Sequence, residues 1–405
     1  MAGEFQLHKH MRNVEGALRR CQIDPELCEA NRAIILTFAK ERLARGIGRI
    51  RVSKLLYSLR YLAHWLKKPF AEATKADLIQ LIGELENKPQ YSEHTKHDFK
   101  AILKLFYKWL KGNDEIYPPE ISWLKSRLRN AAHKLPEELL TEDEVMMMAQ
   151  KADQPRDRAF VLILYETGCR IGEILSLKMK NVSFDQYGAI LRVNGKTGDR
   201  RVRIISSAPA LSAWIQCHIK ANDPECALWP PLANAVKFRS TPMDHQAVYH
   251  KLKELAVMAG IRKRVYPHLF RHSRATALAG KLTEAQMKEY FGWTQGSSMA
   301  AVYVHMSGRD VDNALLALQG MAKPEEKREE KFVLHPCPRC QEKNSPAFKF
   351  CTRCGSPMDL TGLIQADNTR KSGDDVMNTL MQNPEFKEFL LKKVAEMGLE
   401  KKLTA

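Results

Sequence analysis

The stretch Pro267-His268-Leu-Phe-Arg271-His272 decides how the rest of the chain is interpreted. On a helix, residues three or four positions apart point to the same side, so its two histidines and its arginine would share one face. A histidine can hold or move a proton near neutral pH, and a guanidinium can bind the oxygens of an anion. The stretch therefore predicts a helix whose histidine and arginine side chains face a functional site.

An indole and a phenol follow further along the same segment. Trp293 ends Tyr-Phe-Gly-Trp, and Tyr303 stands in Val-Tyr-Val-His, which ends at His305. Ionising a tyrosine with a pKa near 10 costs roughly 4 kcal/mol at pH 7, and nearby cations would reduce that cost. Tyr303 is therefore the candidate nucleophile, with His268 as the candidate acceptor of its proton. Tyr290, in an apolar segment, is predicted to be a core residue.

A second arginine lies upstream, in Thr167-Gly-Cys-Arg170-Ile-Gly-Glu173. The charge of a phosphodiester spreads over its oxygens during cleavage, and planar guanidinium groups match that geometry. Arg170 and Arg271 are thus candidates to clamp the two non-bridging oxygens, and removing such a donor typically costs about 10²–10³ in rate. Glu173 is a candidate brace for this site or an ordinary salt-bridge partner.

The segment 188–206 changes from helical spacing to a period of two. Apolar residues alternate with arginines beside a glycine-rich turn, which is typical of a β-hairpin. Lys196 on that turn is the candidate acid that protonates a leaving 5′-oxygen. Other cations also lie close to it in the sequence, namely Arg200, Arg201 and Arg203.

The composition indicates a polyanionic partner. The 405 residues include 64 lysines and arginines against 47 aspartates and glutamates, a formal charge of +17. Such an excess favours nucleic acid, although a merely basic soluble protein has the same balance. We find no apolar leader, and the longest apolar run, residues 159–165, is far too short to span a membrane. Nine cysteines without a disulfide framework fit a reducing cytoplasm. The expected location is therefore cytoplasmic, and a protein that binds DNA there would be associated with the nucleoid.

Residue periodicity divides the chain into segments. Helical spacing predominates, and the hairpin adds a small antiparallel β-sheet, which makes a mainly α protein of the α+β class. The capping-box pattern from Thr141 to Glu144 predicts the start of a helix that opens a second domain. The predicted segments are an N-terminal extension (1–28), a helical domain (29–112), a linker (113–139), a second domain (140–322), a charged linker (323–334), a cysteine module (335–358) and an amphipathic helix (374–402).

The helical domain carries many cations opposite its apolar stripe. They are predicted to form one basic side, although a solvated helix face has the same pattern. These cations are Lys40, Arg42, Arg45, Arg49, Arg51, Lys54 and Arg60.

The cysteine module contains two CxxC pairs, Cys337 with Cys340 and Cys351 with Cys354. Four thiolates make a closed tetrahedral zinc site with no open position for catalysis. We therefore expect one structural zinc in a zinc ribbon, since metal binding would supply roughly 10–16 kcal/mol to a module too small for its own core. The cations of the module suit either additional DNA contact or the docking of a protein; they are Arg339, Lys343, Lys349 and Arg353.

The last helical segment has an apolar face made by Phe386, Phe389, Leu390, Val394 and Met397. An apolar face of this kind is normally covered by another surface. We expect it either to dock on a neighbouring copy of the chain or to fold back on its own chain.

Taken in order, three motifs resemble the catalytic domain of tyrosine recombinases, also called phage-type integrases. They are Thr167-Gly-x-Arg170-x-x-Glu173-Ile-x-x-Leu177, His268-x-x-Arg271-His272 and Tyr303-x-His305. The helical domain is similar to that family's core-binding domain, so the resemblance covers about 30–320. All-cysteine ribbons beside such a domain resemble those of archaeal integrases. The resemblance implies a site-specific DNA recombinase from a mobile genetic element.

The resemblance also implies the roles of the reacting residues. Arg170 and Arg271 would bind the scissile phosphate, and Lys196 would protonate the leaving 5′-oxygen. Tyr303 would become joined to the DNA 3′-phosphate. Because one phosphodiester replaces another, neither ATP nor a catalytic cofactor is expected.

Five further residues would support this chemistry. By resemblance, His268 assists proton transfer and Trp293 donates a hydrogen bond to the phosphate. Glu173 braces the site. His272 and His305 are expected to be structural supports beside it.

The family further implies an assembly on DNA. Duplex DNA would lie within a C-shaped clamp formed by the two domains, and four copies of the chain would act on two DNA sites, away from any membrane. Two rival functions use the same residues or the same fold. One is a type IB-like topoisomerase, and the other is a catalytically silent DNA-binding regulator.

Overall fold

The computed structural model describes residues 14–112, 115–126, 136–195, 198–231, 241–306, 319 and 332–396. The described residues up to 126 form one compact unit, and those from 136 onward form another. Within these ranges, no helix is both long and apolar enough to cross a membrane. The mainly helical architecture with a small antiparallel sheet confirms the predicted fold class.

The first unit is built from α-helices. These are α1 (Val14–Ile23), α2 (Glu29–Ala44), α3 (Arg49–Leu66), α4 (Lys75–Glu86), α5 (Glu93–Leu110) and α6 (Pro119–Ser122). Side-chain caps start two of them, because Thr74 forms a capping box with Asp77 and Ser92 accepts from the Thr95 backbone N–H. Such caps satisfy N–H groups that would otherwise lack a partner at a helix start.

An aromatic core holds these helices together. Phe106 meets Phe38 and Phe70 at ring-centroid distances of 5.3 and 4.9 Å, and all three rings are fully buried. The Tyr107 hydroxyl donates to the Phe70 carbonyl at 2.9 Å. Helix α1 lies in the segment predicted to be an extension, yet it contributes side chains to this core. They are Val14, Ala17 and Cys21.

Two cations of the predicted basic side face inward. Arg42 is 8% exposed, and its guanidinium lies 4.7 Å from the centre of the Phe38 ring. Arg60 is half-buried and pairs with Asp24 at 2.9 Å. The long apolar stem of arginine allows it to pack like a hydrophobic residue, which spacing alone does not reveal. The other five cations are exposed.

The second unit surrounds a buried central helix. Its helices up to residue 306 are α7 (Glu142–Lys151), α8 (Pro155–Thr167), α9 (Ile171–Leu175), α10 (Ala208–Gln216), α11 (His245–Met258), α12 (Pro267–Ala279), α13 (Glu284–Phe291) and α14 (Met299–Met306). Helix α8 is buried along nearly its whole length and packs against α7, α10 and α12. The capping box of Thr141 and Glu144 at the start of α7 is confirmed.

The sheet of this unit has three antiparallel strands. They are β1 (Val182–Asp185), β2 (Gly188–Gly195) and β3 (Gly198–Ile204), in the order β1-β2-β3. Strands β2 and β3 confirm the predicted hairpin, with Gly195 opposite Gly198 at its end. The sequence did not predict β1. Three of its four residues are exposed, so it lacks the alternation that marks a half-buried strand.

The carboxylate of Glu166, at the end of α8, holds the chain that leaves the sheet. It accepts hydrogen bonds from the backbone N–H groups of Ile205, Ser206 and Ser207 at 2.7–3.0 Å. Several donors to one buried carboxylate compensate for its loss of water. The helix that leads to Arg170 is thereby fixed to the end of the sheet.

The cysteine module is attached to this same region. It contains the short strands β4 (His335–Pro336) and β5 (Lys343–Asn344). Just before them, the Phe332 ring lies 5.4 Å from the Tyr165 ring, and the Phe332 carbonyl accepts from the Ser206 hydroxyl at 2.6 Å. The module is therefore anchored to the end of α8.

Two helices follow the module where the sequence predicted one. Helix α15 (Leu360–Met381) begins well before residue 374, and α16 (Pro384–Glu396) follows it. The break is explained by Pro384, which has no backbone N–H to continue a helix and is favoured in a first turn. Asn383 caps α16 by accepting from the Phe386 N–H at 3.2 Å. The predicted end at residue 402 lies outside the described residues.

Candidate active site

Arg170 is positioned by the tight connection between α8 and α9. The connection starts at Gly168, whose φ of +54° is a left-handed conformation that glycine adopts freely. Arg170 then caps α9, because its backbone N–H donates to Glu173 Oε2 and its Nη1 donates to Glu173 Oε1, both at 3.0 Å. The side chain is 36% exposed, so a fixed backbone presents a guanidinium that solvent can reach.

Glu173 is a buried carboxylate shared by two arginines. It is 4% exposed and also accepts from Arg200 Nη2 at 2.8 Å. Burial acts to raise the pKa of Glu173, but hydrogen bonds and positive charge from Arg200 and Arg170 outweigh burial and hold that pKa below its ordinary value. Glu173 is therefore an anion that holds both guanidinium groups.

Arg271 reaches the same region from α12. It is 3% exposed, and it donates to the carbonyls of Gly168 and Phe291 at 2.9 and 2.7 Å. Because Gly168 lies two residues before Arg170, the first of these bonds brings the two arginines together. Burial and the positive charge of Arg170 lower the pKa of Arg271 to about 10. An anion bound beside both guanidinium groups would offset that cost.

Helix α12 also carries both histidines of the motif. Their rings, on His268 and His272, meet edge to face at a centroid distance of 4.8 Å. Loss of water and the positive charges of Arg271 and Arg170 lower the pKa of His268. With this lowered pKa, His268 is neutral at pH 7 and able to accept a proton.

Tyr303 lies in the core against Trp293. The two rings are parallel to within 5°, with centroids 5.5 Å apart, and Tyr303 is 3% exposed. The Arg271 guanidinium lies 5.3 Å from the centre of the Trp293 ring. Burial raises the pKa of Tyr303 to about 12, although the charge of Arg271 acts in the opposite direction. The phenol is therefore protonated here and needs a base before it can attack.

The side chain that contacts the Tyr303 hydroxyl is His272. The hydroxyl and His272 Nδ1 form a short hydrogen bond. A neutral ring with its proton on Nε2 accepts from the hydroxyl at Nδ1, and this tautomer is inferred from the contact. The sequence predicted that His268 accepts the proton of Tyr303 and that His272 is a structural support. In the structure, His272 contacts the phenolic oxygen instead.

Two of the predicted site residues cannot be placed in this way. Lys196 follows Gly195 in the sequence and lies outside the described residues. The side chain of His305 is likewise outside them. Their roles stay predictions.

Arg200 is part of the site, although the sequence indicated it only as a cation near Lys196. Its ion pair with Glu173 lies beside the partly exposed guanidinium of Arg170. Along β3, Arg200 shares a face with Val202 and Ile204, which are both buried. The period of two was therefore a signal that this arginine points inward.

Comparison with known proteins shows which family the second unit resembles. Residues 138–309 match the phage integrase family. Tyrosine recombinase XerD of Vibrio vulnificus (strain YJ016) is 27% identical over 281 residues, which cover 60% of this chain and 88% of that protein. Over these residues the chain is similar to the phage integrase family and to tyrosine recombinases. XerD of Haemophilus influenzae is 26% identical over 290 residues, covering 68% of this chain and 94% of that protein.

Solved structures share the recombinase fold at lower identity. XerH bound to its difH substrate matches with a TM-score of 0.51 and 17% identity, covering 78% of this chain and 99% of that one. A lambda integrase dimer bound to a COC′ core site matches with a TM-score of 0.53 and 14% identity, covering 69% and 78%. These likenesses agree with the mainly helical fold and its small sheet.

The four cysteines of the module converge on one point. Their Sγ atoms all lie within 4.8 Å of one another, with Cys337 to Cys354 at 3.7 Å and Cys340 to Cys351 at 3.6 Å. A tetrahedral site with Zn–S bonds near 2.3 Å separates its sulfurs by about 3.8 Å. A backbone N–H within each CxxC pair also donates to a sulfur at 3.4 Å, which suits a thiolate. The cluster can therefore hold a metal ion.

Proposed function

We propose that this recombinase cuts and rejoins DNA at specific sites through a covalent bond between Tyr303 and a DNA 3′-phosphate. The proposal rests on one arrangement of side chains. Arg271 donates to the carbonyl of Gly168, two residues before Arg170, and the hydrogen-bonded pair of Tyr303 and His272 lies next to these arginines. Trp293 links the two groups, because it packs against both Arg271 and Tyr303. The XerD relatives support the same activity.

The proposed reaction exchanges one phosphodiester for another. The Tyr303 oxygen bonds to phosphorus while its proton passes to His272 Nδ1, and the bond from phosphorus to the 5′-oxygen breaks. Arg170 and Arg271 bind the non-bridging oxygens as their charge grows. Lys196 gives a proton to the departing 5′-oxygen. The number of phosphodiester bonds is unchanged, so no ATP and no catalytic cofactor are needed.

The remaining site residues have supporting roles in this proposal. The indole N–H of Trp293 donates to the bound phosphate. Neutral His268, in contact with His272, assists the movement of the proton. Glu173 keeps Arg170 in place, as its hydrogen bonds to both the backbone and the guanidinium suggest.

The proposed substrate is duplex DNA, acted on by four copies of the chain at two sites. Among the proteins of similar fold, lambda integrase has been solved as a tetramer bound to a Holliday junction. The charge of +17 and the exposed cations of the first unit support a polyanionic partner. Action on DNA would place the protein in the cytoplasm, at the nucleoid.

Trapping the covalent intermediate tests the proposal. The full chain is mixed with genomic DNA fragments that carry random nicks, because a nick beside the cut releases a short strand and prevents rejoining. After denaturation in SDS, covalent complexes are recovered, their DNA ends are sequenced and the attached peptide is identified. We expect DNA 3′ ends on the peptide that contains Tyr303. No adduct, or attachment to another residue, would overturn the proposal.

The recovered sequence also separates the rival functions. It is rebuilt as a synthetic duplex nicked beside the cut, called the suicide duplex below, and as an intact site in plasmids. Strand exchange between two intact sites is expected. Relaxation of supercoiled plasmid without exchange would indicate a topoisomerase, and binding without adduct would indicate a silent regulator.

DNA binding is expected to weaken steeply as salt is added. A protein that neutralises about six to ten phosphates loses roughly 10³–10⁵ in affinity between about 50 and 200 mM salt, because counterions are released on binding. Fluorescence anisotropy of a labelled suicide duplex over a KCl series measures the slope. A duplex of scrambled sequence gives the non-specific part, and a flat salt dependence would contradict a basic interface.

We further propose that the metal of the cysteine module is zinc. Four thiolates at this spacing suit zinc, which prefers a closed tetrahedral site in structural modules. A bound zinc would leave no coordination position for substrate. Its contribution would be to the folding of the ribbon, whose described part contains only two short strands.

Replacing Cys351 with serine is expected to remove the metal and unfold the ribbon. Loss of one thiolate forfeits much of the roughly 10–16 kcal/mol that links metal binding to folding. Elemental analysis should change from one zinc per chain to none, and limited proteolysis should cut between residues 335 and 358. The matched control is Cys217→Ser, an exposed free cysteine outside the module. A full zinc content in the Cys351 variant would contradict the assignment.

A further inference from the structure

Arg200 contacts three separate segments of the site. Its Nη2 donates to Glu173 Oε2 at 2.8 Å and contacts the Cys169 sulfur at 3.3 Å. Its Nε donates to the backbone carbonyl of Tyr290 at 3.1 Å. These partners lie before α9, within α9 and in α13, while Arg200 itself is in β3. One largely buried guanidinium thus joins the elements that carry Arg170 to those that lead to Trp293 and Tyr303.

Two glycines make room for this guanidinium. A Cβ on Gly292 would lie 2.7 Å from Arg200 Nη1, and one on Gly195 would lie 3.1 Å from the same atom. Gly292 also has a φ of +60°, which other residues rarely adopt. Among the described residues, Nη1 has no hydrogen-bond partner. A buried donor without a partner costs about 1–3 kcal/mol, so stability alone does not explain an arginine at this position.

We propose that Arg200 is a positioning residue of the recombinase, which fixes the Glu173 carboxylate so that Glu173 in turn orients Arg170 toward the phosphate. This inference rests on the proposed function. The side chain of Arg200 is only 10% exposed, whereas that of Arg170 is 36% exposed, so Arg200 supports Glu173 on the side away from solvent. Its removal should slow cleavage without weakening DNA binding.

The charges around Glu173 give this role a signature in pH. Arg170 faces the carboxylate from the start of α9 and Arg200 faces it from β3. The charge of Arg271 and the Cys169 thiol, which is neutral because burial raises its pKa, also lie nearby. Without Arg200, burial would act against fewer compensating charges, and the pKa of Glu173 would rise. The carboxylate would then become protonated at a higher pH as the solution is acidified, and a neutral carboxyl group holds Arg170 less firmly.

The test measures adduct formation on the suicide duplex over about pH 5–8.5 for the full-length wild type, Arg200→Met and Arg200→Lys. For Arg200→Met we expect cleavage to be about 10- to 100-fold slower. This is the range typical of losing a residue that holds a metal-binding side chain in place, a role similar to the one proposed here. We also expect the acid limb of its profile to move to higher pH, with DNA affinity unchanged. Arg200→Lys should recover part of the rate and of the acid limb, because it restores the charge but not the full set of hydrogen bonds. Arg200→Lys also keeps the proposal testable if Arg200→Met does not fold.

Glu173→Gln provides the second arm of the test. It removes the titrating carboxylate, so Arg200→Met should add little when combined with it, as expected for residues that act through one another. The control is Arg156→Met, another buried arginine, which donates to Asp157 and to the Pro230 carbonyl at 2.7 Å. It should lower stability to urea without moving the acid limb.

The results of this test distinguish a failure of the proposed function from a failure of the proposed role of Arg200. A wild type that forms no adduct overturns the proposed function, and the inference with it. A wild type that forms the adduct, with an Arg200→Met profile that is unshifted or reduced equally at every pH, overturns the role of Arg200 alone. Additive losses in the double variant would also overturn it.

Discussion

Replacing Tyr303 with phenylalanine is expected to abolish the SDS-resistant adduct on the suicide duplex while DNA binding persists. The change removes only the phenolic oxygen, which is the atom proposed to bond to phosphorus. The ring can keep its stack on Trp293, where the centroids are 5.5 Å apart. Loss of a nucleophile or of its partner groups lowers the rate by roughly 10⁴–10⁶-fold in an enzyme of another class that also forms a covalent intermediate. Loss of the hydrogen bond to His272 should reduce the free energy of unfolding by only about 1 kcal/mol.

Tyr290→Phe is the matched control for this variant. The Tyr290 hydroxyl donates to the Glu166 carbonyl at 2.5 Å, and burial raises the pKa of Tyr290 well above its ordinary value. Its removal should cost similar stability but leave the adduct intact. An adduct that survives in Tyr303→Phe, or that disappears only in Tyr290→Phe, would contradict the choice of nucleophile.

Arg271→Ala is expected to slow adduct formation by about 10²–10³-fold, the usual cost of removing one preorganised donor to a transition state. The variant also leaves the carbonyls of Gly168 and Phe291 without their donor, so the free energy of unfolding should fall by about 1–3 kcal/mol. Single-turnover cleavage and urea denaturation measure the two effects separately.

Two further variants accompany Arg271→Ala: one tests whether positive charge alone is sufficient at this position, and the other is a control at a neighbouring arginine. Arg271→Lys keeps a cation, but one ammonium group does not match both carbonyls and a phosphate, so its rate should fall between those of wild type and alanine. Arg274→Met removes a neighbouring arginine that donates to the Glu166 carbonyl at 3.0 Å. It should lower stability but not the rate of the folded fraction. Equal rates for Arg271→Ala and wild type would remove Arg271 from the site.

Much of the fold could be predicted from local patterns. The period of two around residues 188–206 identified β2 and β3, and the capping box at Thr141 identified the start of α7. These signals are strong because they depend on neighbours in sequence. Strand β1 and the early start of α15 were missed, since the residues of an edge strand or of a largely exposed helix need not follow an apolar pattern.

The pairing of site residues was harder to predict than their identity. His268 and His272 are one helical turn apart, so spacing places both on the face that meets Tyr303 and does not say which one contacts it. The answer depends on how α14 packs against α12, which is a tertiary contact. Arg200 was passed over for a related reason. Its partner Glu173 is 27 residues away in sequence, and only the fold brings them together.

The two glycines beside Arg200 set a condition on any attempt to transplant this chemistry into another scaffold. Suppose that a graft copied the arginines, histidines and tyrosine but placed alanine at positions 195 and 292. The added Cβ atoms would crowd the Arg200 guanidinium at both positions and the Glu173 carboxylate at position 195. Alanine at position 292 would also strain the backbone. The site therefore depends on glycines that leave space as well as on reactive side chains. A search for related sites in other folds should look for such space beside the functional groups.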